Sequence, residues 1–110
     1  MKFFYKGIDY LKREYVETYE RVSRWIRIDF NGKGEPYFRF RNRRYKLDDF
    51  LRCNSAWVQW NNKIANAKGE EILLSGYEAD SYYKPYFVEL SECGEAVRVY
   101  QYLGTERSYE

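Results

Sequence analysis

A chain of 110 residues has room for one domain, residues 1–110, built on one core. With no histidine, and with Cys53 and Cys93 as its only cysteines, it lacks the commonest general base, the Ser-His and Cys-His nucleophile pairs and a tetrahedral zinc set. A formal net charge of +2 makes no whole-chain case for nucleic acid, and no apolar run approaches the roughly 20 residues of a membrane helix.

Aromatic residues are 21% of the chain, with 13 Tyr, 7 Phe and 3 Trp. Tyr is wide, stiff and amphipathic and serves in sheets and in contact surfaces. This abundance points to a β-rich fold with a binding face. Charge is unevenly placed: residues 1–52 hold 14 Lys/Arg against 8 Asp/Glu, and residues 53–110 hold 5 against 9. A basic and an acidic half can form two faces, meet across a homodimer, or pair off within the fold.

In chain order, residues 3–5 read as a short strand ending at Gly7. Residues 10–24 read as a helix. Ile8, Leu11, Tyr15, Tyr19, Val22 and Ile26 are spaced 3, 4, 4, 3 and 4, as on one helical face. Asp9 can cap it, and Glu17–Arg21 and Glu20–Arg24 are favourable i,i+4 pairs. The frequent Tyr, Val and Thr in this stretch give a competing strand reading. Residues 25–30 alternate as a strand, with Ile26, Ile28 and Phe30 on one side and Trp25, Arg27 and Asp29 on the other. Asn31-Gly32-Lys33-Gly34 is a turn.

The most informative stretch follows, Tyr-Phe-Arg-Phe-Arg-Asn-Arg-Arg-Tyr-Lys at residues 37–46. Read as one strand, it places Tyr37, Arg39, Arg41, Arg43 and Tyr45 on one face and Phe38, Phe40, Asn42, Arg44 and Lys46 on the other. Phe38 and Phe40 then enter the core while three arginines line up outside, and Asp29 can partly neutralise one of them across the hairpin. Residues 47–52 read as a one-turn helix with Asp48 near its start. Residues 56–60 fit a strand or a helical turn, and residues 61–70 read as an exposed loop. Further strands are expected at 71–77, 83–90 and 96–102, with Ser91–Glu95 as a hairpin loop turned by Gly94 and a frayed polar tail at 104–110. The expected fold is therefore α+β, one N-terminal helix packed on a mostly antiparallel, five- to six-stranded twisted sheet or partial barrel.

Asp48-Asp49 and Glu70-Glu71 match no calcium loop, and Gly32-Lys-Gly34 fits no nucleotide fingerprint. The expectation is a non-catalytic protein with no cofactor and no metal, in a cytoplasmic setting that keeps its thiols reduced. The arginine stripe has two functional readings. It can hold a host protein or a protein–nucleic-acid complex, because Arg, Tyr and Trp dominate interface hot spots. It can instead hold single-stranded DNA or RNA, with arginines on phosphates and Trp25, Tyr37 or Tyr45 on bases. A pocket for a small anionic nucleotide is a third reading. The candidate contact residues are Trp25, Arg27, Tyr37, Arg39, Arg41, Arg43 and Tyr45, joined by Tyr77 and Tyr82 from a second aromatic cluster around Pro85. Like charges on an edge strand can also serve only to discourage aggregation.

Tyr45-Lys-Leu-Asp-Asp-Phe-Leu-Arg52, Gly76-Tyr-Glu-Ala-Asp-Ser-Tyr-Tyr83 and Val97-Arg-Val-Tyr-Gln-Tyr102 cover about a fifth of the chain. In these segments the chain resembles the short orphan proteins of phages and mobile elements of low-GC bacteria. That resemblance implies an anti-defence inhibitor of the anti-CRISPR kind, which acts by binding. The slightly basic charge departs from the acidic mimics of nucleic acid common among such inhibitors.

Overall fold

The computed structural model describes residues 1–51, 59–77 and 86–107. Where the sequence reading expected a helix packed on a sheet, the fold is nearly all β around a closed six-stranded barrel. Its strands are β1 (Lys2–Ile8), β2 (Glu14–Arg21), β3 (Ile26–Arg27), β4 (Asp29–Phe30), β5 (Pro36–Phe40), β6 (Arg43–Lys46), β7 (Gln59–Ala65), β8 (Glu71–Tyr77), β9 (Tyr86–Leu90) and β10 (Ala96–Arg107). One short helix, α1 (Asp48–Leu51), lies where the one-turn helix was expected. The barrel order is β2-β1-β7-β8-β9-β10, with β10 returning to β2; β3 adds to β10, and β4-β5-β6 form a separate sheet.

The expected helix at 10–24 is the strand β2. Tyr15 and Tyr19 are four apart, a spacing that satisfies a helical face and a strand face alike. Pairing decided between them. β2 is in register with β1 from Lys2↔Glu20 to Ile8↔Glu14. On its other edge it pairs with β10 from Tyr100↔Arg21 to Arg107↔Tyr15. The helix reading also needed Ile8 and Leu11 inside, and both are exposed, at 68% and 54%.

Three further expectations are corrected. The single strand expected at 25–30 is split into β3, which joins β10, and β4, which joins β5, and Phe30, expected on the inner side with Ile26 and Ile28, is 67% exposed. Residues 61–65 of the loop expected at 61–70 belong to β7, anchored by Ile64 at 0% exposure. The tail that was expected to fray continues β10 through Arg107, with a register shift between Tyr102 and Gly104. A bulge there bends the strand, which a closing sheet requires.

Four hairpin turns share one template. Asp9, Asn31 and Asn66 each accept two backbone N–H bonds on the side-chain oxygen, at 2.9–3.0 Å, and Ser91 Oγ accepts two at 3.0 and 3.2 Å. Three residues later stands a left-handed residue: Lys12 (φ 63°), Gly34 (77°), Gly69 (84°) and Gly94 (74°). Each turn is thus fixed by a short polar side chain and a residue at positive φ.

The core has two parts on opposite faces of β9–β10. Facing into the barrel, Phe3, Tyr19, Ile64, Leu74, Phe87 and Tyr100 pack together. Edge-to-face contacts join Phe3 with Tyr100 at 5.3 Å and Tyr19 with Phe87 at 5.5 Å. On the outer face, Val88, Val97 and Val99 meet Ile28, Phe38, Phe40, Tyr45, Leu47 and Phe50. The small sheet and α1 are therefore laid on the barrel wall by their apolar face. The molecule is elongated, 54 × 34 × 24 Å.

Candidate anion-binding hairpin

The residue 37–46 stretch is not one strand. It is the hairpin β5–β6, turned at Arg41 and Asn42, whose φ angles are 50° and 65°. Two successive left-handed residues make a two-residue hairpin loop of the I′ kind, which matches the twist of the flanking strands. Sequence alternation missed the turn because Asn-Gly or Asp-Gly is its usual signature.

The turn changes which arginines share a face. Phe38 lies opposite Tyr45, Arg39 opposite Arg44, and Phe40 opposite Arg43. Phe38, Phe40 and Tyr45 are 1%, 7% and 5% exposed, so they form the buried face. Arg39 has Arg44 as its outward neighbour, where the alternation had placed Arg43. Arg44 is thus a site residue that sequence reasoning assigned to the wrong face. The available signal was Asn42 inside the arginine run, a residue type that tolerates positive φ.

Arg39, Arg41, Asn42, Arg43 and Arg44 line one shallow concavity of about 540 Å³. No carboxylate is among these lining residues. Arg39 and Arg44 stand directly opposite each other, an arrangement that costs energy between like charges. Among the described residues neither has an ion-pair partner. Asp29, the expected neutraliser, lies opposite Tyr37 without an ion pair to any described residue. Arg41 is held down by a hydrogen bond to Tyr86 Oη at 3.0 Å, with its guanidinium 4.8 Å from the Phe40 ring centre. Arg44 lies 5.1 Å from the Tyr37 ring centre and Arg43 lies 5.8 Å from that of Tyr45. Cation–π contacts thus pin Arg41 and Arg44 while leaving N–H donors for an anion.

The other expected contact residues are not gathered here. Trp25 and Arg27 line a second concavity of about 690 Å³ with Phe30, Cys93 and Glu95. One face of Trp25 is covered by Arg98, 4.0 Å from the ring centre, and Arg98 is held by Glu89 at 2.8 Å. Cys93 is exposed in the turn after β9, whereas Cys53 lies outside the described residues. The Tyr77 side chain and all of Tyr82 also lie outside the described part of the chain. Among the described residues, no group of three His, Cys, Asp or Glu is placed to hold a metal ion, and no helix is long and apolar enough to cross a membrane.

No protein-family description, curated protein or solved structure matches the chain.

Proposed function

We propose that this chain is a non-catalytic binding protein that docks through its β5–β6 hairpin onto a phosphate-bearing partner. In the phage or mobile-element setting that the sequence resembles, that partner is a host protein–nucleic-acid assembly. The observation that carries the reading is the pair Arg39 and Arg44, face to face across the hairpin beside Arg41 and Arg43, around a concavity whose lining includes no carboxylate. Two opposed guanidiniums repel until an anion lies between them. Arg41 adds a second argument. It occupies a left-handed position at φ 50°, where a residue with a Cβ costs roughly 1–2 kcal/mol. A strained non-glycine residue at a turn tip is a feature that functional sites retain.

The test is titration of a labelled mixed-sequence DNA at 50 and 200 mM salt. With four phosphates neutralised, the log–log slope is about −3.6 on duplex and about −2.8 on a single strand, so affinity falls roughly 150-fold or 50-fold over this range. Arg39→Glu with Arg44→Glu should abolish binding at both salts while leaving the far-UV CD spectrum unchanged. Binding by the double variant equal to that of the parent protein would remove the hairpin from the site.

A further inference from the structure

We infer that the hairpin reads duplex nucleic acid through its phosphates rather than single strands through their bases. This rests on the proposed function above and names its substrate class. Proteins that hold single strands supply aromatic faces on which unpaired bases stack, beside the cations that track the backbone. Here the described aromatic rings beside the arginines are already engaged. Phe40 and Tyr45 are buried, and Tyr86 receives the Arg41 hydrogen bond and packs edge-on against Phe40 at 5.3 Å. The Tyr37 ring is half-buried beneath the Arg44 guanidinium. A base could stack on any of them only by displacing a guanidinium or opening the core.

The mounting of the hairpin points the same way. Phe38, Phe40 and Tyr45 fix it flat against the barrel wall, and Arg41 ties its tip to β9. The result is a shallow, preorganised array of cations. Such an array suits the regular phosphates of a stiff duplex, whereas a flexible strand must first lose conformational entropy to match it.

The experiment compares three labelled probes of one length at 50, 100 and 200 mM salt: a mixed-sequence single strand, its duplex, and a single strand whose central sites are abasic. The expected result is at least tenfold tighter binding to the duplex, with equal affinity for the two single strands. Arg39→Glu should lower duplex affinity by more than tenfold. A single strand bound as tightly as the duplex, or weakened by loss of its bases, would overturn duplex recognition and leave the proposed function standing. Absence of binding to all three probes at 50 mM would overturn both.

Discussion

Gly76 shows how closely the barrel interior is fitted. A Cβ at this position would stand 1.9 Å from Cδ1 of the Phe87 ring, which covers the glycine from the neighbouring strand. Gly76→Ala should therefore cost about 3 kcal/mol in urea unfolding, the upper range for overpacking. Adding Phe87→Leu should restore part of that loss, and a double variant no more stable than Gly76→Ala alone would contradict the fit described here. Buried phenols set a second residue-level property. Tyr19 and Tyr100 are 1% and 0% exposed, and desolvation pushes both phenols above their ordinary range, assisted by hydrogen bonds to Glu17 and Glu89. The unfolded chain ionises its tyrosines near pH 10 while the fold keeps these two neutral. Their contribution is complete below about pH 10 and is lost as pH rises above it, at about 1.4 kcal/mol per pH unit for each. Urea midpoints at pH 8, 10 and 11 should fall accordingly, and Tyr100→Phe should reduce the slope.

At the scale of elements, the four-turn template separates what is local from what is not. In three turns the left-handed position is glycine, but after β1 it is Lys12 at φ 63°. Asp9 holds that turn by accepting the N–H groups of Leu11 and Arg13, and these bonds, with Arg13 beside it, hold the Asp9 carboxyl below the usual range. Lys12→Gly should stabilise the protein by about 0.5–1 kcal/mol, because relief of the left-handed strain exceeds the added freedom of the unfolded chain. A lowered melting temperature would show that the Lys12 side chain contributes contacts beyond the turn. The template was legible in the residues as Asp, Asn or Ser followed at the third position by Gly or Lys, and two of its four turns, at Gly34 and Gly94, were anticipated. The Arg41-Asn42 turn was less legible because it lacks glycine, and with it went the correct pairing of Arg39 with Arg44.

For the whole molecule, β9 and β10 are the shared wall. Their inward side chains, Phe87 and Tyr100, belong to the barrel core, while Val88, Val97 and Val99 belong to the core beneath the small sheet. Two cores joined through the same backbone should unfold together. Near-UV and far-UV CD should report one coincident urea transition. Val99→Ala should lower its midpoint by the equivalent of roughly 2–3 kcal/mol, from two lost methyl groups and the cavity they leave. Two separated transitions would mean that the hairpin sheet is held independently of the barrel.

The sequence by itself determined the β character of residues 71–77, 86–90 and 96–102, the turns at Gly34 and Gly94, the helical turn at 48–51 and the inward course of Phe38 and Phe40. Each depends on alternation, turn chemistry or capping within a few neighbouring residues. Only the tertiary structure decided that residues 14–21 are a strand, that β10 runs on to Arg107, and that the sheet closes. Tyr15 and Tyr19 fit a helix and a strand equally, and the choice fell to hydrogen bonds with β1 and with β10, some 80 residues away in sequence. The candidate anion site has the same origin. The composition of the arginine run was plain from the chain, but Arg39 and Arg44 meet only because the backbone reverses between them.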